Sequence, residues 1–245
     1  MNVFMAELFG TLILVLLGDG VVANVVLSKN KGEGGGGGGA WIVITAGWGF
    51  AVAVAVYTVG WVSGAHINPA VTVGLLAIGQ ISFGTAINYI IAQFIGAFIG
   101  AILVWLAYFD HFKATADAGL KLAVFSTGPA IRNYSMNLIT EIIGTAMLLV
   151  GVLGIFNANN GLASGMGPYA VGILVFSIGL SLGGPTGYAI NPARDLGPRL
   201  AHAILPIPGK GDSDWGYAWI PVIGPLIGGV LGTVLYQFVF LPFWG

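Results

Sequence analysis

The triplet Asn-Pro-Ala occurs twice in this chain, at Asn68-Pro69-Ala70 and at Asn191-Pro192-Ala193. Each copy sits in a matching frame. Ser63, Gly64, Ala65, His66 and Ile67 lead into the first; Thr186, Gly187, Tyr188, Ala189 and Ile190 lead into the second. One such triplet is the ordinary grammar of a helix start, with Asn as cap and Pro at the first helical position. Two copies in corresponding places of an apolar chain predict more. They point to a duplicated membrane protein in which two half-helices aim at one site.

The rest of the chain supplies the membrane. Of its 245 residues 57% are hydrophobic and 7% are charged. A soluble domain carries about 25% charged residues, so lipid must cover this surface. The 41 glycines suit close helix packing in membranes. There is no cysteine and there are three histidines, so no cofactor and no metal site is expected. A net charge of −1 excludes nucleic acid as a partner. The first apolar run starts at Val3 without a basic leader and is too long for a signal sequence.

The expected fold is an all-α membrane protein with six transmembrane helices, two re-entrant half-helices and an inverted internal repeat. The spans are read as Val3–Val26, Ala40–Gly60, Phe83–Ala107, Met136–Phe156, Pro168–Gly183 and Tyr217–Leu241. Asn68–Ile78 and Asn191–Ile204 are apolar but too short to cross. Non-spanning backbone at membrane depth is tolerated where it lines a wet cavity. Glu7 and Glu141 open the two halves in similar contexts. With three spans in each half, the second half must insert upside down. One channel domain, 1–245, is therefore divided into repeats 1–107 and 136–245. The link 108–135 is polar enough to read as an exposed connection. Gly34–Gly39 reads as a flexible loop.

Opposed half-helices bring two positive dipole ends and the amides of Asn68 and Asn191 to one point near the midplane. A water or hydroxyl there donates its hydrogens outward, which breaks a proton wire, and the field repels cations. The carbonyls of Gly64, Ala65 and His66 and of Gly187, Tyr188 and Ala189 are candidate acceptors facing an apolar wall. Such a pore suits small neutral solutes with hydroxyls.

With these motifs the chain resembles the major intrinsic protein family, the aquaporins and glycerol facilitators, over nearly its whole length. The resemblance implies passive conduction without enzymatic chemistry, and a homotetramer with one pore per subunit. It implies a multi-pass protein, expected in a bacterial plasma membrane. It also implies a selectivity filter of Trp48, Gly179, Tyr188 and Arg194. Trp48, by its spacing to Asn68, matches the aromatic filter position of the glycerol-conducting branch. Tyr188 matches the second aromatic, more often Phe. Gly179 stands where water-selective members usually carry His. Asp195, Arg199 and Pro221 also resemble that branch. The expected function is a passive channel for glycerol, other small neutral solutes and water. A water-selective pore, a facilitator mainly for another small solute and a coupled transporter are the alternatives.

Asp195 and Arg199 stand four apart on an expected helix and read as an ion pair that braces the loop. Glu7 and Glu141 read as acceptors anchoring the re-entrant loops, and His66 as a structural histidine. Asp19, without a counterpart in the second half, reads as a buried hydrogen-bonding residue near a pore mouth. One rule runs against the family. All eight Lys and Arg residues follow spans one, three or five. The positive-inside rule would then place the N-terminus outside, whereas the family has it inside.

Overall fold

The computed structural model describes residues 2–32 and 40–244. Gly34–Gly39 lies outside the described residues. Among the described residues ten α-helices, before a last four-residue helix at Leu241–Trp244, set the architecture: α1 (Val3–Val26), α2 (Ala40–Ser63), α3 (Pro69–Ala77), α4 (Phe83–Ala107), α5 (Phe109–Ala114), α6 (Ala118–Phe125), α7 (Tyr134–Ile155), α8 (Met166–Leu182), α9 (Pro192–Ile204) and α10 (Ile220–Leu235). A π-helical stretch, Tyr236–Phe240, continues the last of these. Among the described residues five apolar helical stretches are long enough to cross a bilayer, the last running Ile220–Phe243, and α8 adds an apolar helix of 17 residues. At 1.5 Å per residue α8 is about 25 Å long, at the short end for a span. The chain is an integral, multi-pass membrane protein.

Polar caps start the helices where the sequence supplies them. Asn2, Ser82 and Asn133 accept from the first-turn amides of α1, α4 and α7. Asn68 and Asn191 do the same for α3 and α9, each followed by Pro at the first helical position. At 9 and 13 residues, α3 and α9 reach only about 14 and 20 Å.

Small residues let the bundle close. A Cβ on Gly96 of α4 would stand 2.2 Å from Leu8 O of α1, and one on Gly228 of α10 would stand 2.4 Å from Ile142 O of α7. Gly49 of α2 and Gly172 of α8 meet each other the same way, at 2.7 Å. Any side chain there would push backbones apart. The half-helices pack crosswise: α3 lies against α10, and α9 lies against α4. The contacts Gly74–Thr233 and Gly197–Ala97 mark those seams.

The connection 108–135 differs from the exposed link expected of it. It forms α5 and α6, and Phe112, Val124 and Phe125 are fully buried. These apolar side chains are carried on two short helical turns, and α6 packs on α1 and α9. Lys113 and Asp117 are exposed, but Thr115, Lys121, Ser126 and Thr127 are buried with the apolar residues, so the polar composition of the link does not report its exposure. Lys121 bonds the Pro208 carbonyl, tying this connection to the one before α10.

Candidate pore and its constrictions

The two loops before α3 and α9 share one backbone pattern. Gly64 and Gly187 both have φ of +82°. Ala65 and Tyr188 follow at +47° and +40°, and Ile67 and Ile190 both stand at +43°. A β-branched residue at positive φ is a genuine outlier. Such strain persists only where surrounding structure over-determines it.

Two buried carboxylates supply that constraint. Glu7 Oε2 accepts from Ile67 N at 2.7 Å, and Glu7 Oε1 accepts from His66 N at 3.0 Å. The Ser63 hydroxyl and the Gln93 amide complete its shell at 2.6 and 2.8 Å. Glu141 Oε2 accepts from Ile190 N at 2.9 Å, and its Oε1 accepts from Ala189 N at 3.0 Å and from Thr186 Oγ1 at 2.7 Å. Ser63 and Thr186 occupy equivalent places in the two frames. The sequence singled out neither of them, nor Gln93, although each is a polar residue in an apolar helix or beside the motif.

Between the loops the asparagines interlock. Asn68 Nδ2 donates to Ile190 O at 2.8 Å, and Asn191 Nδ2 donates to Ile67 O at 2.9 Å. Their Oδ1 atoms cap their own helices, on Ala70 N and on Ala193 N and Arg194 N. Each side-chain amide thus uses one hydrogen to bind the opposite loop. The second hydrogen remains for the cavity, a division that sequence reasoning did not anticipate.

A cavity of about 300 Å³ runs past this junction. Trp48, Tyr188 and Arg194 line it, as do both asparagines and, away from that cluster, Gln80 and Phe156. Gly64, Ala65, His66, Tyr188 and Ala189, from the two loops, also line it, together with aliphatic residues such as Val52, Val56 and Val175. Gly187 and Gly179 are not on the wall. Gly187 packs on Thr127, and a Cβ on Gly179 would stand 2.8 Å from Tyr188 Cζ and Thr45 Cγ2. Gly179 therefore acts as the seat for the Tyr188 ring.

Arg194 lies with its guanidinium carbon 4.1 Å from the Trp48 ring centroid. Trp48 in turn covers Gly18, where a Cβ would fall 2.2 Å from the indole. Tyr188 meets Trp41 edge-on at 5.8 Å, and Trp41 Nε1 donates to Gly179 O at 3.0 Å. Trp41 is a neighbour of the aromatic corner that sequence reasoning missed; only its early place in the second span hinted at it. His66 contacts Thr72 Oγ1 through Nδ1 at 3.1 Å and stacks edge-on to Tyr89 at 4.9 Å.

Asp195 and Arg199 form a fully buried ion pair at 2.9 Å. Asp195 Oδ2 also accepts from Thr127 N and Oγ1, both at 2.7 Å. Arg199 donates to the carbonyls of Thr127, Ser213 and Asp214. The pair thereby staples two connections onto α9, just behind Arg194. Asp19 is also fully buried, but neither of its oxygens has a hydrogen-bond partner among the described residues. It stands 3.8 Å from Arg194 Nη1.

A helical bundle with two half-helix tips interlocked beside a cavity defines a multi-pass protein of the dual re-entrant class. The chain belongs to the major intrinsic protein family, whose family model matches residues 1–236. It is 65% identical over 240 residues to the probable glycerol uptake facilitator protein of Thermotoga maritima, covering 98% of this chain and all of that one. It is 55% identical to the glycerol uptake facilitator protein of Streptococcus pneumoniae R6, covering 97% and 99%. Among solved structures it resembles the aquaglyceroporin from Plasmodium falciparum, with a TM-score of 0.85, 30% identity and coverage of 98% and 96%.

Proposed function

We propose that this protein is a passive channel that conducts glycerol, similar small neutral solutes and water, and excludes ions and protons. The observation that carries this reading is a cavity lined both by aliphatic residues and by the two strained loops. The aliphatic lining suits a carbon backbone. The loops would offer carbonyls as acceptors for hydroxyls. Trp48, Tyr188 and Arg194, with Gly179 seating the tyrosine, form the selectivity filter. Asn68 and Asn191 form the central constriction, where two positive helix ends oppose cations. Glu7, Glu141, Asp195 and Arg199 brace this arrangement from behind and do not meet solute. Kinship to glycerol uptake facilitators supports glycerol as the solute.

The channel conducts without a catalytic step or a coupling ion. It assembles as a homotetramer with a pore in each subunit, in a bacterial plasma membrane, from two inverted repeats, 1–107 and 136–245, joined by 108–135. Purified protein in proteoliposomes tests the reading. Stopped-flow light scattering should record fast, gradient-driven glycerol and water flux in wild type. Arg194→Ala should raise ion or proton leakage and blur the ranking among solutes. Glycerol accumulation against its gradient would replace the channel reading with a coupled transporter.

A further inference from the structure

The charges around the cavity are unbalanced unless Asp19 is counted. Two half-helix N-termini present positive ends to the cavity, and Arg194 adds a full positive charge. All of these repel cations and attract anions. The nearby acidic groups are committed elsewhere. Glu7 and Glu141 hold the loop amides, and Asp195 is paired with Arg199.

Asp19 differs from all of them. It is fully buried on α1, both its oxygens lack hydrogen-bond partners among the described residues, and Arg194 Nη1 lacks one too. These unsatisfied atoms face each other at 3.8 Å, a spacing that leaves no room for a water between them. Asp19 is not part of the cavity wall, while Arg194 is. The carboxylate therefore lies behind the guanidinium as seen from the cavity. Gly18, next in sequence, gives the Trp48 ring its place, and Trp48 carries Arg194. One turn of α1 thus supports the guanidinium with both an aromatic face and a charge.

We propose that Asp19 is the counter-charge of the filter: it draws Arg194 back against Trp48 and cancels its charge, so that the constriction offers N–H donors to neutral solutes without attracting anions. Asp19 is a positioning residue that acts through Arg194 and touches no solute. The inference rests on reading Arg194 as part of the filter. It gives the channel its exclusion of anions, which the helix ends alone work against.

The test is a cycle of variants in proteoliposomes, with glycerol flux and nitrate conductance measured on each. Asp19→Asn keeps the shape of the side chain and removes its charge. It should raise nitrate conductance relative to glycerol flux about tenfold. In an Arg194→Ala background the same change should add nothing, because its target is gone. An unchanged nitrate-to-glycerol ratio in Asp19→Asn overturns the inference, as does an equal rise in both backgrounds. If Arg194→Ala itself leaves solute ranking and ion leakage at wild-type values, the filter reading fails and takes this inference with it. If Arg194→Ala alters them and Asp19→Asn alters nothing, the filter stands and only the role of Asp19 falls. Asp19→Ser serves as a second uncharged variant. Should both fold only alongside Arg194→Ala, the two charges are coupled as proposed; failure to fold in either background would mark a purely structural carboxylate and overturn it.

Discussion

Asn68 and Asn191 are each bound to the carbonyl that precedes the other, at 2.8 and 2.9 Å, so neither re-entrant loop is positioned without its counterpart. The caps of α3 and α9 are thus also the clasp between the two halves. A carboxylate in either place keeps the cap acceptor but loses the crossing donor. It also puts negative charge at two converging positive helix ends. Asn68→Asp and Asn191→Asp should each cut glycerol and water flux severely. Near-normal flux in both, with folding intact, would contradict a constriction built on this clasp.

The strained loops depend on their carboxylates. Glu7→Gln or Glu141→Gln replaces an acceptor oxygen with an NH2 that faces existing donors, inside a fully buried shell. Each should destabilise the protein by about 1–3 kcal/mol. The two changes should be similar in size, since the two shells are built alike. Thermal unfolding in detergent checks this, and a wild-type melting temperature in either variant would show that the loops hold without the anchor.

Gly179 sits beneath Tyr188, and its contact distances leave no space for a side chain. Even Gly179→Ala must displace the ring toward the cavity, at a cost of about 1–3 kcal/mol for the overpacking. Glycerol permeability should fall more than water permeability. Gly179→His combined with Trp48→Phe should widen that gap, because apolar contact worth about 25 cal/mol per Å² is lost as well. A wild-type glycerol-to-water ratio in the double variant would remove Gly179 and Trp48 from the filter. Tyr188→Phe keeps the ring and should change the ratio less.

Two neighbouring ion pairs, linked where Arg199 bonds the Asp214 carbonyl, should behave oppositely. Arg132 and Asp214 bond at 2.6 Å, but the side chains are 44% and 25% exposed. Arg132→Ala should cost less than about 1 kcal/mol, and less still in high salt. Arg199→Ala leaves Asp195 buried without its partner and should cost about 3–5 kcal/mol. Equal melting shifts in the two variants would contradict the role given to Arg199.

No filter residue is a histidine, and His66 is engaged by Thr72 and Tyr89. Glycerol flux should be insensitive to an imposed proton gradient between neutral and mildly basic pH. Flux that follows the gradient would point to coupling.

Much of this protein was legible in its sequence because the membrane makes the signal coarse. Apolar runs of spanning length reported the spans, and Asn-Pro pairs reported helix starts that cannot be spans. The paired glutamates and the i, i+4 spacing of Asp195 and Arg199 suggested bracing before any contact was known. Those features are local, set by helix capping and helix pitch. What tertiary structure decided was which groups those side chains satisfy. The crossing of each asparagine amide to the opposite loop joins positions over a hundred residues apart. The seat of Tyr188 on Gly179 depends on the approach of two elements. The burial of Val124 and Phe125 depends on α1 and α9 offering α6 an apolar seat, which the composition of the link does not record. What the basic side chains bind was hidden for the same reason. Lys121 binds the Pro208 carbonyl, Lys210 the carbonyls ending α9, and Arg132 and Arg199 their partners, so these are not free loop charges. A sequence lists a charge; only the fold determines whether water, lipid or another side chain answers it.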